Sequence, residues 1–194
     1  MKYINEWNGR NLGSVLLFAV LFCIAALIIM FSGNIHPVAF LFFSATGAII
    51  LPTIYMLAAR RVAAPGVPTA FTIIFLLVTI VSGEYDIVKL TCYITIAIAA
   101  ELNRYYCGYN SLKGLVFSSL PMPFVLFSWP VRIWITRDLV LSNAKDEMPA
   151  GYDAVLNDCS PLWVMPIIIV TTVVFAVIFA NLGAKIFKID AKKE

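Results

Sequence analysis

Residues 11–31 and 162–182 carry no charged side chain and are almost wholly apolar. A bilayer core of about 30 Å takes roughly 20 such residues in helix, because lipid offers no partner for an unpaired backbone amide. Both runs are therefore expected to span a membrane. With 61% hydrophobic and only 13% charged residues, the rest of the 194-residue chain does not read as a soluble domain either. A third run, 38–59, is opened by Pro37 and closed by Arg60 and Arg61. Shorter runs at 68–82 and 87–100 read as spans three and four, the latter ended by Glu101. Residues 112–135 carry Pro121, Pro123 and Pro130, and read as a kinked fifth span whose freed carbonyls are satisfied by neighbouring helices. The stretch 136–161 holds Asp138, Lys145, Asp146, Glu147, Asp153 and Asp158, is too polar to cross, and is expected to be a long loop. The fold class is thus an all-α, polytopic, single membrane domain of six spans. A secretory signal is the alternative for the first run, but its apolar length exceeds the roughly 7–15 residues of a signal core.

Basic residues in short loops stay on the cytoplasmic side. With the amino terminus inside, the inner set is Lys2, Arg10, Arg60, Arg61, Arg104, Lys113, Lys185, Lys188, Lys192 and Lys193, leaving Lys89, Arg132, Arg137 and Lys145 outside. The acids distribute oppositely: Glu6, Glu101, Asp190 and Glu194 fall inside, and the other seven outside. Both termini are expected in the cytoplasm of a bacterial cell, with the chain multi-pass in the plasma membrane. The net charge of +3 is explained by this topology and by attraction to anionic lipid. It forms no stripe for nucleic acid.

The chemical inventory argues against an enzyme. His36 is the one histidine, so neither HExxH nor a two-histidine metal site exists, and no metal or cofactor site is expected. Neither GxxxxGK[ST] nor GxSxG occurs, so the chain cannot cradle ATP phosphates on its own. Cys23, Cys92, Cys107 and Cys159 form no CxxC pair. What remains is a set of polar and aromatic residues at the outer face. Lys89 stands an i,i+3 step from Asp86, placed to pair with it. Arg132 lies between Trp129 and Trp134, and Arg137 precedes Asp138. Together with Tyr85 and Trp163 these supply aromatic walls and convergent polar groups for a pocket, although a lysine snorkelling outward and an aromatic belt account for each residue singly. His36 and Met122 are added as potential ligand contacts, Met122 lying between two prolines at mid-span. Arg132 is expected to meet an anionic ligand. Ala19-x-x-x-Cys23, with Ala25 and Ala26, and Ser44-x-x-x-Ala48 are small-residue stripes that allow close helix approach, for a partner or within the bundle.

Gly83 opening the third outer turn, Ala100-Glu101, the 134–138 segment Trp-Ile-Thr-Arg-Asp, Tyr152-Asp153 and Ser160-Pro161-Leu162-Trp163 follow one another in an order that resembles the Trep_Strep family, also called MptD-type S components of energy-coupling factor transporters. The resemblance runs from about Tyr3 to Lys188. It implies a subunit that captures a small nutrient (an iron chelate, a haem-like tetrapyrrole or a vitamin) and topples when it docks on a transmembrane coupling subunit bearing two cytoplasmic ATPases. The docking stripe it implies falls on Ala19, Cys23 and Ala26. The competing expectations are a stand-alone secondary transporter and a small intramembrane enzyme.

Overall fold

A computed structural model describes residues 7–189, and among these every regular element is helical. The basic and acidic positions Lys2, Glu6, Asp190, Lys192, Lys193 and Glu194, and Tyr3, lie outside the described residues. Helix α1, Gly9–Phe31, starts at Asn8, whose side chain accepts from the Asn11 amide. Together with the turn that follows it, and like Val164–Ile186 near the other terminus, it is long and apolar enough to cross a bilayer, the two having mean hydropathies of 3.0 and 2.5. Val67–Val81 and 112–128 are shorter apolar segments.

The remaining runs depart from single rods. The run 38–59 is expected as one helix but forms three: α2 (Pro37–Leu41), α3 (Phe43–Gly47) and α4 (Leu51–Ala59). Pro52 sits in the first turn of α4, where its ring would collide with the carbonyl four residues back and it has no amide to give. The helix therefore restarts there through tighter bonds, Ile49 N to Thr46 O and Ile50 N to Gly47 O. After α5 (Val67–Val81), α6 runs Ile87–Cys107, well beyond the expected end at Glu101, and stops at Gly108, whose φ is +93°. It continues because the charges beyond 100 meet partners. Glu101 Oε1 accepts from Gly66 N and Thr69 Oγ1. Arg104, fully buried, donates to the carbonyls of Ala59 (2.5 Å) and Val62 (2.7 Å), and more weakly to Ala64. The proline-rich run is kinked as expected: α7 (Leu112–Ser119) passes into a 3-10 stretch, Met122–Ser128, and then α8 (Arg132–Ile135).

The polar stretch 136–161 is not an irregular loop. It folds into a helical hairpin, α9 (Arg137–Glu147) and α10 (Tyr152–Cys159), before α11 (Val164–Ile186). Ala144, Tyr152 and Leu156 give it one apolar side, which packs on Leu41, Ile133 and Ile168.

The main core is aromatic. Phe22 meets Phe71 and Phe75 edge-on, with centroids 5.4 and 6.1 Å away, and Tyr55 meets Phe71 in the same manner. Val15, Ala19, Phe22, Cys23 and Ala26 form the buried face of α1, whereas Leu17, Val20, Ile24 and Ile28 face outward. The expected docking stripe is thus corrected: Ala19, Cys23 and Ala26 are spent on packing inside the bundle, where small side chains admit α4 and α5. Ser44 and Ala48 are likewise internal, with the Ser44 hydroxyl 2.8 Å from that of Thr172.

The turns gather at two ends. Trp7 Nε1 donates to Pro65 O, Arg61 to Ser14 Oγ and Arg60 to Phe187 O at one end, which also carries the Arg104 cap. At the other, the turns after α1 and α5 meet the 129–161 segment.

The contact between α4 and α11 gives a direct test. A Cβ at Gly183 would overlap Thr53 Oγ1 and come within 2.9 Å of its Cγ2. Gly183→Ala should cost roughly 1–3 kcal/mol in detergent unfolding, and Thr53→Ala in the same chain should restore part of the loss; equal melting of Gly183→Ala and the parent would refute this close approach.

Candidate functional site

The turn between α5 and α6 builds the charged floor of the site. Gly83 takes a positive φ of 76°, which lets the chain reverse, and Asp86 caps α6 by accepting from Lys89 N. One turn into α6, the Lys89 side chain is fully buried. A buried ammonium is tolerable only if it is paired and fully hydrogen-bonded. Lys89 Nζ lies 2.9 Å from Glu84 Oε2, donates to the Glu84 carbonyl at 2.5 Å, and sits 3.8 Å from Asp86 Oδ2. Its fourth neighbour is the face of Trp129, with the ring centroid 4.5 Å away. Trp129 is held edge-on by Phe75, and Arg132, one turn on, reaches Asp86 Oδ2 at 3.2 Å. Two bases and two acids from three segments therefore form one clasp.

Above the clasp, beneath the α9–α10 hairpin, lies a cavity of about 280 Å³. Met30, Phe40, Phe43 and Trp129 form its apolar wall, Glu84 and Arg132 its floor, and Val140, Asn143, Ala144 and Glu147 of α9 its roof, with Tyr152 and Leu156 of α10. Tyr152 Oη donates to Gly33 O at 2.6 Å and so ties the roof to the turn after α1. Burial pushes this phenol from its usual value near 10 up to about 12, so it remains a donor at neutral pH. A second hollow, about 380 Å³, is a sideways groove between α5 and α6, apolar except near Thr69 and Glu101.

Of the residues singled out from sequence, Trp129 and Arg132 line the cavity and Lys89 anchors both its floor and Trp129. The others lie elsewhere. His36 is exposed and caps α2, its Nδ1 accepting from Val38 N. Met122 is wholly buried in the main core. The two therefore do not converge on the cavity, as a shared ligand would require. Tyr85 is half exposed beside the turn, and Trp163 projects outward at the start of α11. Trp134 stacks on Phe127 and donates to Pro161 O. Arg137 donates to Asn157 Oδ1 and O and to Ser160 O, which makes it the staple of the hairpin. Sequence reading did not single out Asn143 and Tyr152 as lining residues, and it counted Glu84 and Glu147 only among the acids of the outer loops. The spacing 140, 143, 144, 147 is a helical face, and that periodicity inside a stretch read as loop was the available signal.

Two outcomes follow. Lys89→Ala, which leaves Glu84 and Asp86 short of a counter-charge, should destabilise the protein by roughly 3 kcal/mol, against about 1 kcal/mol for Arg132→Ala, where Lys89 still faces Asp86 and solvent screens; ranking the two variants by thermal unfolding in detergent checks the order. Tyr152→Phe should raise amide hydrogen exchange across 137–159 while leaving α1 and α11 protected. Because the phenol's folded-state value exceeds its unfolded one, the tie is intact below pH 10 and its stabilisation is lost as pH climbs from 10 to about 12. Exchange in the hairpin unchanged by the substitution would remove Tyr152 from this role.

No curated protein and no solved structure matches this chain. Residues 9–190 match the family described as "Hypothetical bacterial integral membrane protein (Trep_Strep)". The apolar helices fit a membrane-embedded bacterial protein, and with nearly the whole chain covered, it belongs to the Trep_Strep family of integral membrane proteins.

Proposed function

We propose that this protein is the substrate-binding S component of an energy-coupling factor transporter, taking a small nutrient from outside the cell and passing it inward with ATP hydrolysed by partner subunits. The observation that carries the reading is a roofed, solute-sized cavity at the end of the bundle opposite Arg60, Arg61 and Arg104, in a chain with no nucleotide-binding loop of its own. The gathering of Arg60, Arg61 and Arg104 at that end supports a cytoplasmic reading for it, and so an external one for the cavity, by the positive-inside rule. Six crossings with both termini inside agree with the way the turns collect: those after α1, α5 and α8 at the cavity end, and residues 7–8, 60–66 and 187–189 at the other.

Its volume lies near the lower edge of small-molecule pockets, about 300–1,000 Å³. That favours a vitamin-sized solute over an iron chelate or a tetrapyrrole, as does the separation of His36 from Met122. The partners are a transmembrane coupling subunit and two cytoplasmic ATPases. With Ala19, Cys23 and Ala26 internal, the coupling subunit is left the outward apolar faces of the helices.

A stand-alone secondary carrier is the second reading. It is favoured by the two broken segments, 37–59 and 112–135, meeting through α3 and the 3-10 stretch, since discontinuous helices line the sites of such carriers. Purification of the tagged chain from its native membrane in mild detergent separates the two. A coupling subunit and an ATPase pair retained in fixed proportion are expected; recovery of the chain with no ATPase, from cells that express a coupling module, would reject the S-component reading.

A further inference from the structure

We infer that the outer cavity selects a compact organic cation with an aromatic or apolar body, and disfavours anions. This rests on the reading of the cavity as a ligand site and adds the ligand's charge class. The starting point is where the cavity's charges are already committed. Lys89 is sealed from solvent by Glu84 and Trp129, so its ammonium offers nothing to a ligand. Arg132 borders the cavity, but its guanidinium holds Asp86 Oδ2, a buried oxygen with no hydrogen bond and only Arg132 and Lys89 as counter-charges. An anion that drew Arg132 away would leave that oxygen facing Lys89 alone at 3.8 Å, so the weakened Asp86 pair would offset part of what the anion gains. Arg132 is therefore shared with Asp86, and an anionic ligand would have to compete with that carboxylate for it.

What remains is acidic. Glu147, on the cavity side of α9, is exposed and has no ion pair among the described residues, and the Glu84 side chain is half exposed beyond its bond to Lys89. Lys89 and Arg132 against Glu84, Asp86 and Glu147 make two positive groups against three negative ones, an excess that sits at the roof. Phe40, Phe43 and Trp129 line the cavity with aromatic rings, a surface suited to a cation or to an aromatic body. An ammonium near Glu147 with its body against these rings matches the acidic excess at the roof to the aromatic lining.

The test holds the body constant and changes the charge. Tryptamine, tryptophol and indole-3-propionate share one ring system and differ in carrying an amine, an alcohol or a carboxylate. Saturation-transfer NMR and thermal-shift titration of the full-length protein in nanodiscs should rank them amine, alcohol, acid, with tryptamine about tenfold tighter than the acid. Glu147→Gln should narrow that ratio to about twofold without lowering the ligand-free melting point, because Glu147 holds no other group. An acid bound as well as the amine, a ratio indifferent to Glu147→Gln, or binding of none of the three overturns the inference. Failure of the transporter reading is distinguishable: an amine preference in a protein purified without ATPases rejects the S-component assignment alone, and an acid preference in a protein that retains them rejects the charge class alone.

Discussion

The ammonium of Lys89 sets the terms for one end of this molecule. A lysine cannot be taken out of water inside an oily bundle unless its environment supplies counter-charge and hydrogen-bond acceptors. Here these come from a carboxylate, a carbonyl, a second carboxylate and a tryptophan face, delivered by the α5–α6 turn and by the segment before α8. Satisfying one charge thereby fixes the mutual position of three chain segments. The floor of the cavity is the exposed side of that arrangement, and Trp129 and Arg132 face it because they are held from behind.

The opposite end solves a related problem with a different chemistry. Arg104 finds no carboxylate contact among the described residues; it gathers the carbonyls of Ala59 and Val62 at and just past the end of α4. Glu101, one turn earlier, receives the amide of Gly66 at the start of α5. A cation on carbonyls and an anion on an amide thus seal the 60–66 turn from within, and α6 can run on to Cys107 through two charged positions.

These two ends show what could be read from residues alone. Hydropathy and proline positions revealed the long first and last helices and the bent fifth segment, because each depends on composition along the chain. The i,i+3 relation of Lys89 to Asp86 was legible for the same reason, as was the nearness of Trp129 to Arg132. Azimuth was not legible. Ala19, Cys23 and Ala26 have the same small volume whether they meet a partner or their own bundle, and only the observed packing on α4 and α5 decides it. Trp134 and Trp163 resemble Trp129 in type and depth, yet one stacks on Phe127 and the other points away. Arg137 reads from sequence as a ligand contact, but its donors go to Asn157 and Ser160, a pairing twenty residues away and more that no local pattern announces. The break at Pro52 lies inside the run 38–59, which hydropathy alone reads as one uncharged stretch.

The Arg137 staple has a bearing on how such a protein can change over generations. It joins the first residue of the α9–α10 hairpin to its last turn, so the roof closes on itself before it touches the bundle. A segment whose two ends are already held together can be rewritten in its middle, at Asn143 or Glu147, without re-solving the packing of the lipid-facing helices. Change would then collect chiefly in this short polar cassette, while the oily scaffold beneath it is inherited whole.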